Sequence, residues 1–234
     1  MSEKLERAIS LILAVSAIIF AGILGRRELI ERAPSSAFAD ETKPPQFVPN
    51  WEELKSSSVP IWSPTASVTV LEFADLECPA CKQFHARLKA TVASLHEDVG
   101  LLFVHYPLSI HRFAKQASRA LECAASTGRS AKFIEVAYAN QDSFGLKPWS
   151  ALAREAGVRD TAAFGACVSD TTKLSRLEKG QLLGDSLTIH GTPSVIINGW
   201  RFYHVPQEAE LREAIRALRA GKLPPAARAP RKKI

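Results

Sequence analysis

From residue 68 onward, apolar and polar positions change rhythm in a way that sorts the chain into strands and helices. VTVLEFA, residues 68–74, sets Val68, Val70, Leu71 and Phe73 around Thr69 and Glu72, the composition of a strand. A helical period follows: Pro79 suits a first helical turn, and Phe84, Leu88, Val92 and Leu95 fall on one face. GLLFVHY, residues 100–106, is a second strand, stopped by Pro107. The spacing then predicts helices over 113–125, 131–139, 149–156, 161–168 and 172–183, interrupted at Gly128, Gly145, Gly157 and Gly165. A third strand over 193–197 turns at Asn198-Gly199 into a fourth over 200–205, and an amphipathic helix over 208–220 closes the chain. The order is βαβ, a helical block, then ββα. It predicts an α/β domain with a small sheet whose halves are separated by a helical insertion, and no internal repeat is visible.

Before this domain, residues 8–25 hold eighteen positions without a charge, close to what one helix needs to cross a bilayer. A cleavable signal peptide is the competing reading, because Ala37-Phe38-Ala39 has the small-x-small form of a cleavage site. The spacer to that site is long and charged, with Arg26, Arg27, Glu28, Glu31 and Arg32, which favours an uncleaved transmembrane anchor. Lys4 and Arg7 precede the segment while Arg26, Arg27 and Arg32 follow it, so flanking charge leans slightly against export. Pro34, Pro44, Pro45, Pro49, Pro60 and Pro64 mark a stretch that reads as a linker. The expected organisation is an anchor with its flanks over 1–33, a linker over 34–59, a domain over 60–221 with its insertion at about 108–189, and a basic tail over 222–234.

Charge changes the picture only at the end of the chain. The formal charge is +6, and KLPPAARAPRKKI, residues 222–234, carries Lys222, Arg228, Arg231, Lys232 and Lys233 with no acid. That stretch reads as a solvated tail, with contact to acidic lipid or nucleic acid as the alternative; no nucleic-acid partner is expected of the domain.

Four cysteines form one close pair, Cys78 and Cys81, and two distant singles, Cys123 and Cys167. A Cys-x-x-Cys serves either as half of a zinc site or as a redox disulfide. Structural zinc takes four ligands, often as two such pairs, and the singles lie 44 residues apart, so no metal site is expected. A redox pair needs a first cysteine that is exposed and acidic. Cys78 falls where the helix begins, and the free N–H groups and dipole of that turn favour its thiolate. Cys81, one turn further in, is expected to be partly buried and close enough to bridge, and the chemistry calls for no cofactor.

LEFADLECPACKQF, residues 71–84, resembles the active-site strand and helix of the DsbA family of thiol:disulfide interchange proteins, within the thioredoxin superfamily. GTPSVIING, residues 191–199, resembles that family's cis-proline loop, and HYPLSIHRFAKQASRALECAA, residues 105–125, the start of its helical insertion. The similarity covers about residues 60–220 and implies a thioredoxin-like fold with a cis Thr192-Pro193 bond facing the cysteines. It implies that Thr192 and Pro193 hold an extended substrate beside Cys78. Glu72 by resemblance is a buried acid that exchanges the proton of Cys81; a solvated Glu at a strand edge is the other reading. His190 is a candidate neighbour of the Cys78 thiolate or a merely exposed loop residue, and His85 and His111 are weaker candidates. Pro79-Ala80 lacks the histidine of some family members. Cys123 and Cys167 are either two small buried thiols or, as in some members, a second, structural disulfide.

The resemblance implies a membrane-tethered oxidoreductase that introduces or exchanges disulfides in exported proteins through its Cys-Pro-Ala-Cys pair. Its expected partners are cysteine-containing exported substrates, a membrane redox partner, and the membrane itself through the N-terminal helix. The catalytic domain is expected in the periplasm or otherwise outside the cytoplasm. A reductase of the same fold and an anchored chaperone or binding module are the alternatives.

Overall fold

The computed structural model describes residues 43–170, 172, 174–225 and 227, all within the unit Phe38–Ile234. The segment 8–25, expected to span a membrane, lies outside the described residues; among those described, no helix is long and apolar enough to do so.

The fold is organised by a strand, β3 (Val68–Ala74), whose seven residues are all buried. Both of its faces are covered, because alternate residues enter two different cores. Val68, Val70 and Ala74 enter a large core with Phe84, Leu88, Leu101 and Phe103. Leu71 and Phe73 enter a second with Leu102, Val104, Ile189 and Ile196. That two-sided burial is why the run is nearly continuously apolar rather than strictly alternating. β3 leads through α2 (Pro79–Leu95) to β4 (Val99–His105), which pairs with it in parallel from Val68↔Val99 to Ala74↔His105.

On its other side β3 pairs antiparallel with β5 (Ser194–Ile197), in a register running from Val70↔Ile197 to Phe73↔Ser194. β5 turns through Asn198 (φ 43°) and Gly199 (φ 85°) into β6 (Trp200–Arg201). Left-handed backbone at both positions is the signature of a tight hairpin. The Asn198 side chain locks the turn by accepting from the Thr69 amide at 2.7 Å and donating to the Ser67 carbonyl at 3.0 Å. β6 is shorter than the expected strand over 200–205: one more bond, from the Phe202 amide to the Val195 carbonyl, ends the pairing.

Residues 34–59 were expected as a linker, and the structure corrects this from Gln46 on. β1 (Gln46–Phe47) pairs with β6, a short helix α1 (Glu52–Lys55) follows, and β2 (Val59–Trp62) pairs antiparallel with β4. The sheet order is therefore β1-β6-β5-β3-β4-β2, with both edges built from the proline-rich stretch. Edge strands tolerate proline because one row of their backbone groups needs no partner, and the β2 register shifts between Pro60 and Trp62.

The insertion consists of α3 (Ala114–Ala125), α4 (Ser130–Ala139), a 3-10 turn (Gln141–Ser143), α5 (Trp149–Glu155), α6 (Thr161–Ser169) and α7 (Ser175–Ser186). Gly165, expected as an interruption, lies inside α6, where an added Cβ would meet nothing within 4 Å. Gly180 permits a close approach: a Cβ there would lie 2.6 Å from the His105 carbonyl oxygen, so α7 rests directly on β4. Glu122 of α3 joins the same junction, accepting from Arg176 at 2.7 Å and pairing with buried His105 at 3.0 Å. α8 (Glu208–Arg219) closes the chain with Leu211, Ala214 and Ile215 buried.

Cys123 of α3 and Cys167 of α6 are bridged, closing a loop of sequence separation 44. Cys123→Ala/Cys167→Ala is expected to lose about 2–5 kcal/mol in urea unfolding, the usual cost of removing a cross-link over a loop of this size, while keeping its exchange activity.

Candidate active site

The chain leaves β3 at Ala74, turns within three residues, and enters α2 with Cys78 as N-cap in extended backbone (φ −75°, ψ 120°). The turn is held from several directions. The Cys78 amide donates to the Asp75 carbonyl at 3.1 Å. The buried Asp75 carboxylate accepts from the Glu77 amide at 2.8 Å, the Leu108 amide at 2.9 Å and His111 Nδ1 at 2.8 Å. Glu77 accepts from the Phe113 amide at 2.5 Å, and Gln141 Nε2 donates to the Leu76 and Cys78 carbonyls at 2.8 and 3.0 Å. The segment after β4 and the 3-10 turn of the insertion thus both grip the residues before the cysteine pair.

The β3–β5 register delivers the second half of the site. Ser194 lies opposite Phe73, so the residues just before it fall past the end of β3, where α2 begins. The Thr192-Pro193 bond is cis, and the Thr192 carbonyl accepts from the Cys78 thiol at 3.4 Å. Glu72 shares strand parity with Val70 and Ala74 and so faces the core that holds Cys78 and Cys81; it is fully buried, against the alternative of a solvated edge position.

Burial grades the acidity of these groups. Cys78 keeps 6% of its surface and Cys81 none, so Cys78 is less open than expected and Cys81 more enclosed. The thiol of Cys81 donates to Cys78 and lowers its pKa to about 6 against the opposing effect of burial, with help from Thr192 and the amides of Cys81 and Ala80. Cys81 is pushed well up, first by burial, then by its bond to Cys78 and the charge of Glu72. Glu72 is raised well above the usual carboxylate range by burial and then by the Cys78 charge. The two thiols are unbridged in this structure.

The other candidates separate clearly. His190 is exposed. His111 serves the turn through Asp75. His85 is buried between the rings of Trp62 and Tyr138, with its pKa lowered to about 4 mainly by desolvation. The cysteine motif and the proline loop did not point to the roles of Asp75 and Gln141, because their bonds to Leu108 and to the Cys78 carbonyl are tertiary contacts with no local pattern. Among the described residues no group of three His, Cys, Asp or Glu is placed to hold a metal ion.

A family model described as Thioredoxin matches residues 56–217. The chain belongs to the thioredoxin family, and its relatives in structure are DsbA-like. Pseudomonas aeruginosa DsbA2 superposes with a TM-score of 0.52 at 28% identity, over 67% of this chain and 91% of that one. Oxidised BdbD from Bacillus subtilis superposes with a TM-score of 0.62 at 22% identity, over 71% and 95%, a likeness of fold. The sequence is also 31% identical over 147 residues to a protein named Na(+)/H(+) antiporter NhaA 3 of Salinispora tropica. That match takes in 62% of this chain and 22% of the relative's length, so it concerns one part of a much longer protein.

For this thioredoxin-family domain, the alkylation rate of reduced Cys78 by iodoacetamide is expected to rise through a midpoint near pH 6, because only the thiolate reacts and the folded site depresses its pKa. Mass spectrometry of the modified peptide checks it. A midpoint near the ordinary thiol value of about 8.5 would contradict the assignment of the charge to Cys78.

Proposed function

We propose that this domain is a thiol:disulfide oxidoreductase that introduces or exchanges disulfides in exported proteins through Cys78 and Cys81. The observation that carries this reading is the placement of the two sulfurs: Cys78 caps the start of α2 with the Thr192 carbonyl 3.4 Å away, and Cys81 lies fully enclosed one turn further in. A substrate thiolate attacks Cys78 Sγ of the disulfide, the Cys78–Cys81 bond breaks, and Cys81 leaves. The substrate's second thiolate then attacks its own sulfur in the mixed disulfide and releases Cys78 as thiolate. The substrate departs with one disulfide, and the enzyme holds the two electrons. Thr192 and Pro193 border Cys78, where an extended polypeptide would lie along the backbone.

Stabilising the Cys78 thiolate favours the reduced pair, which makes the disulfide the stronger oxidant and supports the oxidising direction. Returning the pair to its disulfide calls for a membrane redox partner. The Cys123–Cys167 bond supports a site outside the cytoplasm, since lasting disulfides belong to oxidising compartments. The uncharged segment 8–25 supports a single-pass anchor.

Equilibration with glutathione buffers is expected to give a potential above that of thioredoxin, about −270 mV, and Cys81→Ala is expected to trap substrates as mixed disulfides through Cys78. A potential at or below that value would make the domain a reductase. Failure both to reduce insulin and to refold reduced protein would make it a binding module. For location, a reporter active only outside the cytoplasm, fused after Ile234, is expected to be active.

A further inference from the structure

We propose that the cleft over the Cys123–Cys167 bridge binds a small thiol carrying carboxylates, and that its thiolate opens the bridge by attack on Cys167. The inference stands on this part of the insertion alone and does not depend on the reading of Cys78 and Cys81.

The bridge lies in a cleft of about 520 Å³ between the end of α3 and the start of α6, lined by both cysteines and by Arg129, Arg159, Asp160 and Phe164. That volume suits a small-molecule ligand. The two sulfurs are unequally placed: Cys123 keeps 2% of its surface, while Cys167 is exposed. The tie between α3 and α6 is therefore open to a reagent from one side only.

The lining also carries charge. Arg129 and Arg159 are exposed, and neither side chain enters an ion pair or a hydrogen bond among the described residues. The Arg129 guanidinium lies over Gly157, where an added Cβ would sit 3.9 Å from its Cζ, so it reaches the segment that carries Arg159. Asp160, the acid of the lining, holds one carboxylate oxygen on the Ala163 amide at 2.9 Å as the N-cap of α6. Ser126 and Thr127 donate their hydroxyls to the Cys123 and Ala124 carbonyls, each at 2.8 Å. The two guanidinium groups are left as unpaired donors, in the planar fork that matches a carboxylate. Val158 and Phe164, both buried, give apolar contact to a carbon stem.

The ligand's thiolate attacks Cys167 Sγ and bonds to it, the Cys123–Cys167 bond breaks, and the electron pair leaves on Cys123 Sγ. Cys123 takes up one proton, equal to the one the ligand's thiol released on ionising, so a thiol and a disulfide become a mixed disulfide and a thiol. Burial makes Cys123 a poor leaving group, which works against any thiol that arrives unguided. Carboxylates drawn to Arg129 and Arg159 raise the local concentration of thiolate beside Cys167, an advantage that a neutral thiol lacks. The product carries the ligand on Cys167 and no longer ties α3 to α6, so the insertion loosens where such thiols are abundant.

In the full chain with Cys78→Ala/Cys81→Ala, Cys123 and Cys167 are the remaining cysteines. Its opening by reduced glutathione or by neutral 2-mercaptoethanol is followed by quenching with N-ethylmaleimide and peptide mass spectrometry, each rate being divided by that of the same thiol on the urea-unfolded chain. Glutathione is expected to be at least about fourfold faster on this scale, since an exposed ion pair to each arginine is worth about two- to fivefold. The glutathione adduct is expected on Cys167 and the maleimide on Cys123. Arg129→Gln/Arg159→Gln is expected to abolish the preference. High salt on the chain with both arginines is expected to shrink it as well, and serves if the double variant does not fold. Equal relative rates for the two thiols, a preference that survives loss of both arginines or high salt, an adduct confined to Cys123, or a bridge that opens only on unfolding would overturn the proposal.

Discussion

Negative charge has one affordable place in this site, and the rest of the arrangement follows from that. Glu72 and Cys81 both lie in a core from which water is excluded, so ionising either one is opposed by the loss of hydration. Cys78 is the sulfur with the more donors around it, the amides of the first helical turn and the Cys81 thiol among them. The three groups differ in acidity because of where they sit on a strand and a helix, not because of their chemistry. Moving Cys78 one residue into the helix would cost it the N-terminal amides, and moving Glu72 one residue along β3 would turn it into the opposite core.

That arrangement depends on backbone geometry holding while a bond between the two sulfurs forms and breaks. Asp75 is central to it. Its carboxylate is fully buried and accepts from the Glu77 and Leu108 amides and from His111. A buried acceptor with this many donors resists rotation, since breaking any one bond leaves a polar group unpaired. Gln141 adds a grip from the insertion on the carbonyls of Leu76 and Cys78. The helical block therefore does more than cover the sheet: it supplies part of the frame that fixes the N-cap.

The parts of this structure legible in the sequence were those encoded locally. The β3 to α2 junction, the Asn198-Gly199 turn and the helices of the insertion carry their own periodicity and turn residues, and their bounds fall within a few residues of expectation. The cysteine pair and the proline loop were legible for a related reason, each being a short motif with one geometry. Strands β1 and β2 were not, because two and four residues among prolines carry no readable period. Glu72 was ambiguous because VTVLEFA is buried on both faces, so its composition does not say which core a given residue enters. Asp75 and Gln141 reach Leu108 and Cys78 across 33 and 63 positions of sequence, and no local pattern announces such contacts.

The contrast between the two cysteine pairs shows how position sets chemical use. Cys123 is buried on α3, and Cys167 lies on the surface of α6, which packs against it. Neither is the N-cap of its helix: Phe113 and Asp160 occupy those places. A thiol in the body of a helix faces backbone groups that are already paired along the helix, so nothing nearby selectively stabilises its thiolate. Cross-linking two such residues restrains the chain and leaves no poised nucleophile, whereas Cys78, with free amides at its back, keeps its sulfur reactive. The fold thus assigns one pair to holding the insertion together and the other to exchange, using the same side chain for both.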